Sequence, residues 1–155
     1  MKTIIVCTSV SHGNTRRVAD VMAEVLDADV VAPEQIDAAT LADYDLVGFG
    51  SGIFLGSFHE NLREFVRALP AGQRGRAFVY ATSGFERPVR PFTGPLVTEL
   101  ERKGFEVAGS FSCRAWDTWL PFKPVGGIRK NRPNADDLTA ARAFAAGLRV
   151  RSGIQ

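Results

Sequence analysis

Residues 8–15 read Thr-Ser-Val-Ser-His-Gly-Asn-Thr, five hydroxyl or amide side chains within eight positions around one glycine. This is the chemistry of a phosphate cradle. Ser9, Ser11, Asn14 and Thr15 supply hydrogen-bond donors, and Gly13 lets the backbone approach an anion at the positive end of a helix. Helix capping alone would account for one such residue, and not for five. The Gly-Lys-Ser/Thr ending of a nucleotide-hydrolysing loop and the G-x-G-x-x-G of a dinucleotide fold are both missing, so a monophosphate with no obligatory metal fits best.

Three further segments carry chemistry. Residues 50–59, Gly-Ser-Gly-Ile-Phe-Leu-Gly-Ser-Phe-His, combine three glycines that permit close backbone approach with two flat apolar rings. Thr82-Ser83-Gly84-Phe85 repeats the pairing of hydroxyls, glycine and aromatic. Residues 114–132 show no clear helix or strand. They hold Trp116, Trp119 and Phe122, with Arg114, Lys123, Arg129, Lys130 and Arg132 against the single acid Asp117. A loop of that length is usually functional or disordered, and its aromatics argue for order.

Buried parallel strands must position these segments. Ile4-Ile5-Val6-Cys7, Leu46-Val47-Gly48-Phe49 and Ala77-Phe78-Val79-Tyr80 are near-continuous apolar runs of that kind, and Val30-Val31 and Val107-Ala108 are two weaker candidates. Helical spacing places Val18, Met22, Val25 and Leu26 on one face, then Leu62, Phe65, Val66 and Leu69, then Leu138, Ala141, Phe144, Ala145 and Leu148. Asn134 is placed to cap the last of these, with Asp136 and Asp137 in its first turn.

Another helix runs from about Arg90 to Lys103, or starts only at Pro95, and stops at Gly104. A short helical turn opens at Pro33 and ends near Leu41. Five strand–helix alternations predict a doubly wound α/β fold with a five-stranded parallel sheet. Ligands of such sheets lie beyond the carboxyl ends of the strands, where all four segments fall.

Gly13-Asn14-Thr15 followed by Ala19, on a strand-to-helix turn, resembles the phosphate loop of flavodoxins. The resemblance covers nearly the whole chain and implies strand order 2-1-3-4-5, with FMN above the sheet. It assigns the phosphate to Ser9, Ser11, His12, Gly13, Asn14 and Thr15. The flavin ring falls to Ser51, Gly52, Ile53, Phe54, Leu55 and Gly56, and to Thr82, Ser83, Gly84 and Phe85. Trp116 is a candidate cover for the ring, and Phe54 and Phe85 are as readily core residues as stacking ones.

In the family a peptide of the second loop bonds flavin N5. Two departures stand out: Val10 replaces the usual hydroxyl three positions before the glycine, and His12 stands where Thr or Gly is common.

The chain has 155 residues, is 45% hydrophobic and carries eleven Phe, enough for one packed domain over 1–155 and unlike a disordered chain. Cys7 and Cys113 form no C-x-x-C pair, which argues against a disulfide framework or zinc cage, and no metal site is expected. With no apolar stretch of membrane-spanning length and no evident signal segment, a cytoplasmic location is expected.

Net charge is +2, but residues 1–45 sum to −5 and the remainder to +7, with +4 between residues 111 and 135. No helix face gathers the arginines as a nucleic-acid reader would. Family carriers are commonly acidic, so this basic stretch predicts a redox partner or reductase docking on residues 114–132. Positive charge near a flavin would also favour its anionic reduced form.

The expected function is an FMN electron carrier with no catalytic side chain of its own. An NAD(P)H-dependent quinone or flavin reductase is the alternative enzyme, and a flavin-free interaction domain is a third reading.

Overall fold

The computed structural model describes residues 2–8, 14–54, 57–83, 90–114 and 135–151. Its strands are β1 (Thr3–Thr8), β2 (Asp29–Val31), β3 (Leu46–Phe54), β4 (Ser57–Phe58), β5 (Arg76–Ser83) and β6 (Glu106–Arg114). Its helices are α1 (Asn14–Leu26), α2 (Glu60–Arg67), α3 (Arg90–Arg102) and α4 (Ala135–Arg151). Two 3-10 turns, Pro33–Gln35 and Ala38–Asp43, replace the single turn expected between β2 and β3. Asp37 separates them because its carboxylate accepts from the Ala39 N–H at 3.0 Å and so begins a second turn.

The sheet runs β2-β1-β3-β5-β6, with every neighbouring pair parallel, and β4 pairs antiparallel with β3. In order of the five parallel strands this is 2-1-3-4-5, as expected. Alternation sends the two sides of each strand into separate cores. On one face Ile5, Leu46, Phe78 and Tyr80 pack with Val18, Met22 and Leu26 of α1 and Ala141, Ala145 and Leu148 of α4. On the other, Val6, Val47, Phe49 and Val79 pack with Leu62 and Val66 of α2 and Leu96 and Leu100 of α3.

The helix ends follow local chemistry. Gly104, at φ +106°, stops α3 as the sequence predicts, with Phe105 N–H on the Leu100 carbonyl and Gly104 N–H on the Glu101 carbonyl. At the end of α1 the same role falls to Asp27, at φ 53°, with Ala28 N–H on the Ala23 carbonyl at 3.0 Å. The helix α3 starts at Arg90 and includes Pro95. The proline there has no N–H to give the carbonyl of Pro91, and its ring crowds that carbonyl.

Candidate functional site

The carboxyl ends of β1, β3 and β5 bring hydroxyl side chains together on both faces of the sheet. Register sets Thr8 beside Ser51, and Gly52 beside Thr82. Thr15, the second residue of α1, reaches Thr82 with an Oγ1–Oγ1 separation of 2.8 Å, and both residues are only 3% exposed. Two residues earlier on the same face of β5, the Tyr80 hydroxyl donates to the Thr15 backbone carbonyl at 3.4 Å. Strand β5 thus holds the first turn of α1 by side chain and by backbone.

On the opposite face, fully buried Ser51 donates to the Gly52 carbonyl at 2.8 Å and accepts from the His59 N–H at 3.0 Å. This clasp closes the base of a hairpin in which Ile53 pairs with Phe58 and Phe54 with Ser57. His59 in turn caps α2, its Nδ1 accepting from the Asn61 N–H at 3.1 Å. Much of the segment expected as a loop over 51–59 is therefore strand, because its backbone groups find partners across this hairpin. Thr82 and Ser83 likewise finish β5, and Arg114 finishes β6.

Thr8 Oγ1 is buried and has no hydrogen-bond partner among the described residues. Thr3 Oγ1 and Gln73 Oε1 share that condition, but Thr3 opens β1 and Gln73 precedes β5, at the other end of the sheet. An orphaned hydroxyl where β1 runs out toward α1 is one that a polar ligand would satisfy. The first turn of α1 carries no acid and instead has Arg16 and Arg17, which suits an anion at the helix N-terminus. Arg16 also pairs with Asp20 at 2.9 Å.

Of the residues predicted from the sequence, Thr15, Gly52 and Thr82 meet on the α1 face, and Ser51 lies on the other face at the same edge. Asn14, Ile53, Phe54 and Ser83 are described as backbone only, at the start of α1, in β3 and in β5. Ser9, Ser11, His12, Gly13, Leu55, Gly56, Gly84, Phe85 and Trp116 lie outside the described residues, as does nearly all of the basic segment. Thr8 belongs to the hydroxyl cluster read from the sequence but is not among its assigned phosphate residues, and Tyr80 is read there only as a strand residue. Period-two alternation held the signal, since Tyr80 and Thr82 must share a face and Thr8 follows directly on an apolar strand.

A separate open groove of about 820 Å³ follows the β2 edge, lined by residues such as Lys2, Asp29, Gln35 and Tyr44. It includes none of Thr8, Thr15, Ser51 or Thr82, so it is not the place where the hydroxyls meet.

Residues 5–87 match the profile of a family described as the flavodoxin domain. The chain belongs to the flavodoxin domain family. It is 36% identical over 148 residues to an uncharacterized protein of Methanocaldococcus jannaschii, covering 96% of this chain and 98% of that one. Oxidised flavodoxin 1 from Bacillus cereus superposes with a TM-score of 0.70 at 17% identity, over 94% of this chain and 95% of that one. The apo form of an NADH:FMN oxidoreductase superposes with a TM-score of 0.64 at 18% identity, over 96% and 90%. At those identities the two structures share its fold. Among the described residues of this flavodoxin-domain chain, no helix is long and apolar enough to cross a membrane.

Cys7 lies one position before Thr8, facing α1, and burial pushes its thiol above the ordinary value, against a smaller lowering by a hydrogen bond with Tyr80. The sign of the consequence is fixed. Above the ordinary cysteine range the unfolded chain loses this proton while the folded chain keeps it, so stability falls as pH rises through that window. Cys7→Ala should flatten the alkaline slope by up to about 1.4 kcal/mol per pH unit. Urea midpoints at pH 7 to 10 check this, and identical slopes in the two proteins would refute it.

Proposed function

We propose that this chain binds FMN at the carboxyl edge of its sheet and serves in electron transfer. The observation that carries the reading is the buried Thr15–Thr82 pair at the first turn of α1, with Thr8 and Ser51 on the other face of the same carboxyl edge, in a chain of the flavodoxin domain family. These residues fit a phosphate-bearing ligand: hydroxyl donors, a helix N-terminus free of acids, and one buried hydroxyl still unmatched.

In this reading residues 9–15 hold the phosphate, with Ser9, Ser11, Asn14 and Thr15 donating through side chains and Gly13 through its backbone. Residues 51–56 and 83–85 flank the ring, Thr82 itself being engaged by Thr15 on the α1 face, and the Ser51–His59 clasp fixes the base of the first of these segments. Bound FMN supplies the redox chemistry, accepting and returning electrons. The chain binds it, orients it and limits the access of water. The redox partner presents an acidic face to the basic residues of 114–132, a complementarity that would speed encounter and weaken with salt.

The visible spectrum of the purified protein, with identification of any chromophore released on denaturation, tests the reading. The expected result is an oxidised-flavin spectrum and released FMN. A colourless protein that also fails to bind added FMN would overturn it. Sustained NAD(P)H turnover with a quinone would replace the carrier role by a reductase role at the same site.

A further inference from the structure

We infer that Thr82 is a positioning residue for the phosphate end of this site, acting through the Thr15 hydroxyl. The inference rests on the phosphate-binding part of the reading above. Thr15 and Thr82 are 67 residues apart in sequence, yet their hydroxyl oxygens stand 2.8 Å apart in a buried pair in which either is able to donate. Each hydroxyl has one proton to give and two lone pairs to offer. A single bond between them therefore uses one proton and leaves the other for something else.

A phosphate near neutral pH is overwhelmingly an acceptor. For Thr15 to meet it, Thr15 must spend its proton on the anion, and Thr82 must then be the donor within the pair. Occupancy thus orders the two protons into a chain, from Thr82 to Thr15 to phosphate. The bond to the charged acceptor is the stronger one, and it polarises the bond behind it. Without the Thr82 hydroxyl, Thr15 keeps a buried oxygen with an unmatched lone pair and loses what fixes its rotamer.

The surroundings favour this role. The Tyr80 hydroxyl holds the Thr15 carbonyl, so the first turn of α1 is already anchored to β5, and Thr82 is left to orient the side chain. Across the sheet, Gly52 presents no side chain to the pair: a Cβ there would lie 3.6 Å from Thr82 Oγ1 and 3.7 Å from Thr15 Oγ1.

Thr82→Val keeps the shape and removes the hydroxyl, Thr82→Ser keeps the hydroxyl, and Thr82→Ala serves if valine prevents folding. FMN and riboflavin affinities are measured by fluorescence, and the apo-protein is melted with and without inorganic phosphate. Thr82→Val should bind FMN roughly tenfold more weakly, the loss of one buried bond in a charge-assisted chain, with riboflavin affinity unchanged. It should also lose the stabilisation by phosphate, and Thr82→Ser should keep both properties.

Equal losses for FMN and riboflavin, or no loss for either, would overturn the inference and leave the FMN reading standing. A wild type that binds neither flavin, but is stabilised by phosphate through Thr82, would sink the FMN reading and keep this one. If phosphate also has no effect on that wild type, both fall.

Discussion

Phe49→Ala is expected to lower the unfolding free energy by about 3–5 kcal/mol, the range for deleting a buried aromatic ring. Phe49 is fully buried on the central strand β3, with Val6 and Val79 as its register partners on β1 and β5. Its ring meets that of Phe105 edge-on, with centroids 5.9 Å apart and planes at 74°. Strands hold it on both sides and α2 and α3 cover it, so the surroundings have little freedom to close over a void. Urea unfolding gives the measurement, with an unchanged slope and a lower midpoint. A loss below about 1 kcal/mol would show that this face collapses readily and is not tightly packed.

The same strand shows why the sequence was readable in part. Leu46-Val47-Gly48-Phe49 is apolar on consecutive positions because both faces of β3 are covered, and that pattern identified a buried parallel strand. Val30-Val31 signalled weakly because β2 is a three-residue edge strand, exposed or half-buried along its length. The hairpin of β3 with β4 left no pattern at all. Ser51 to Phe58 contain two serines and two glycines, and the Ser51–His59 clasp and two cross-strand pairs, Ile53 with Phe58 and Phe54 with Ser57, are what form the hairpin.

Within the site, Thr15 was legible because it falls in a cluster of donors around a glycine, which is a local signature. The partnership of Thr15 with Thr82 was not, since it depends on β5 lying beside β3 and on which way each strand faces. The glycines of β3 pose the same difficulty. Nothing local says that Gly48 and Gly50 are there for the sake of rings on β5, yet a Cβ at Gly48 would enter the Phe78 ring and one at Gly50 the Tyr80 ring. Phe78 is itself held by Phe144 of α4, at 6.0 Å between centroids.

Gly50→Ala is therefore expected to destabilise the protein by about 2 kcal/mol, although alanine is intrinsically better than glycine within a strand by roughly 0.5–1 kcal/mol. Tyr80 has no room to yield: it is fully buried, and its hydroxyl sits on the Thr15 carbonyl. A ring pushed away from Gly50 would pull that hydroxyl off the first turn of α1, so under the proposed function FMN affinity should fall together with stability.

A double-mutant cycle separates this cause from a general intolerance of the strand. With Tyr80→Val in place the ring is gone, and adding Gly50→Ala should then be nearly neutral. If alanine at position 50 costs the same with or without the ring, the steric account is wrong. The glycine would then be required by its backbone and not by its neighbour.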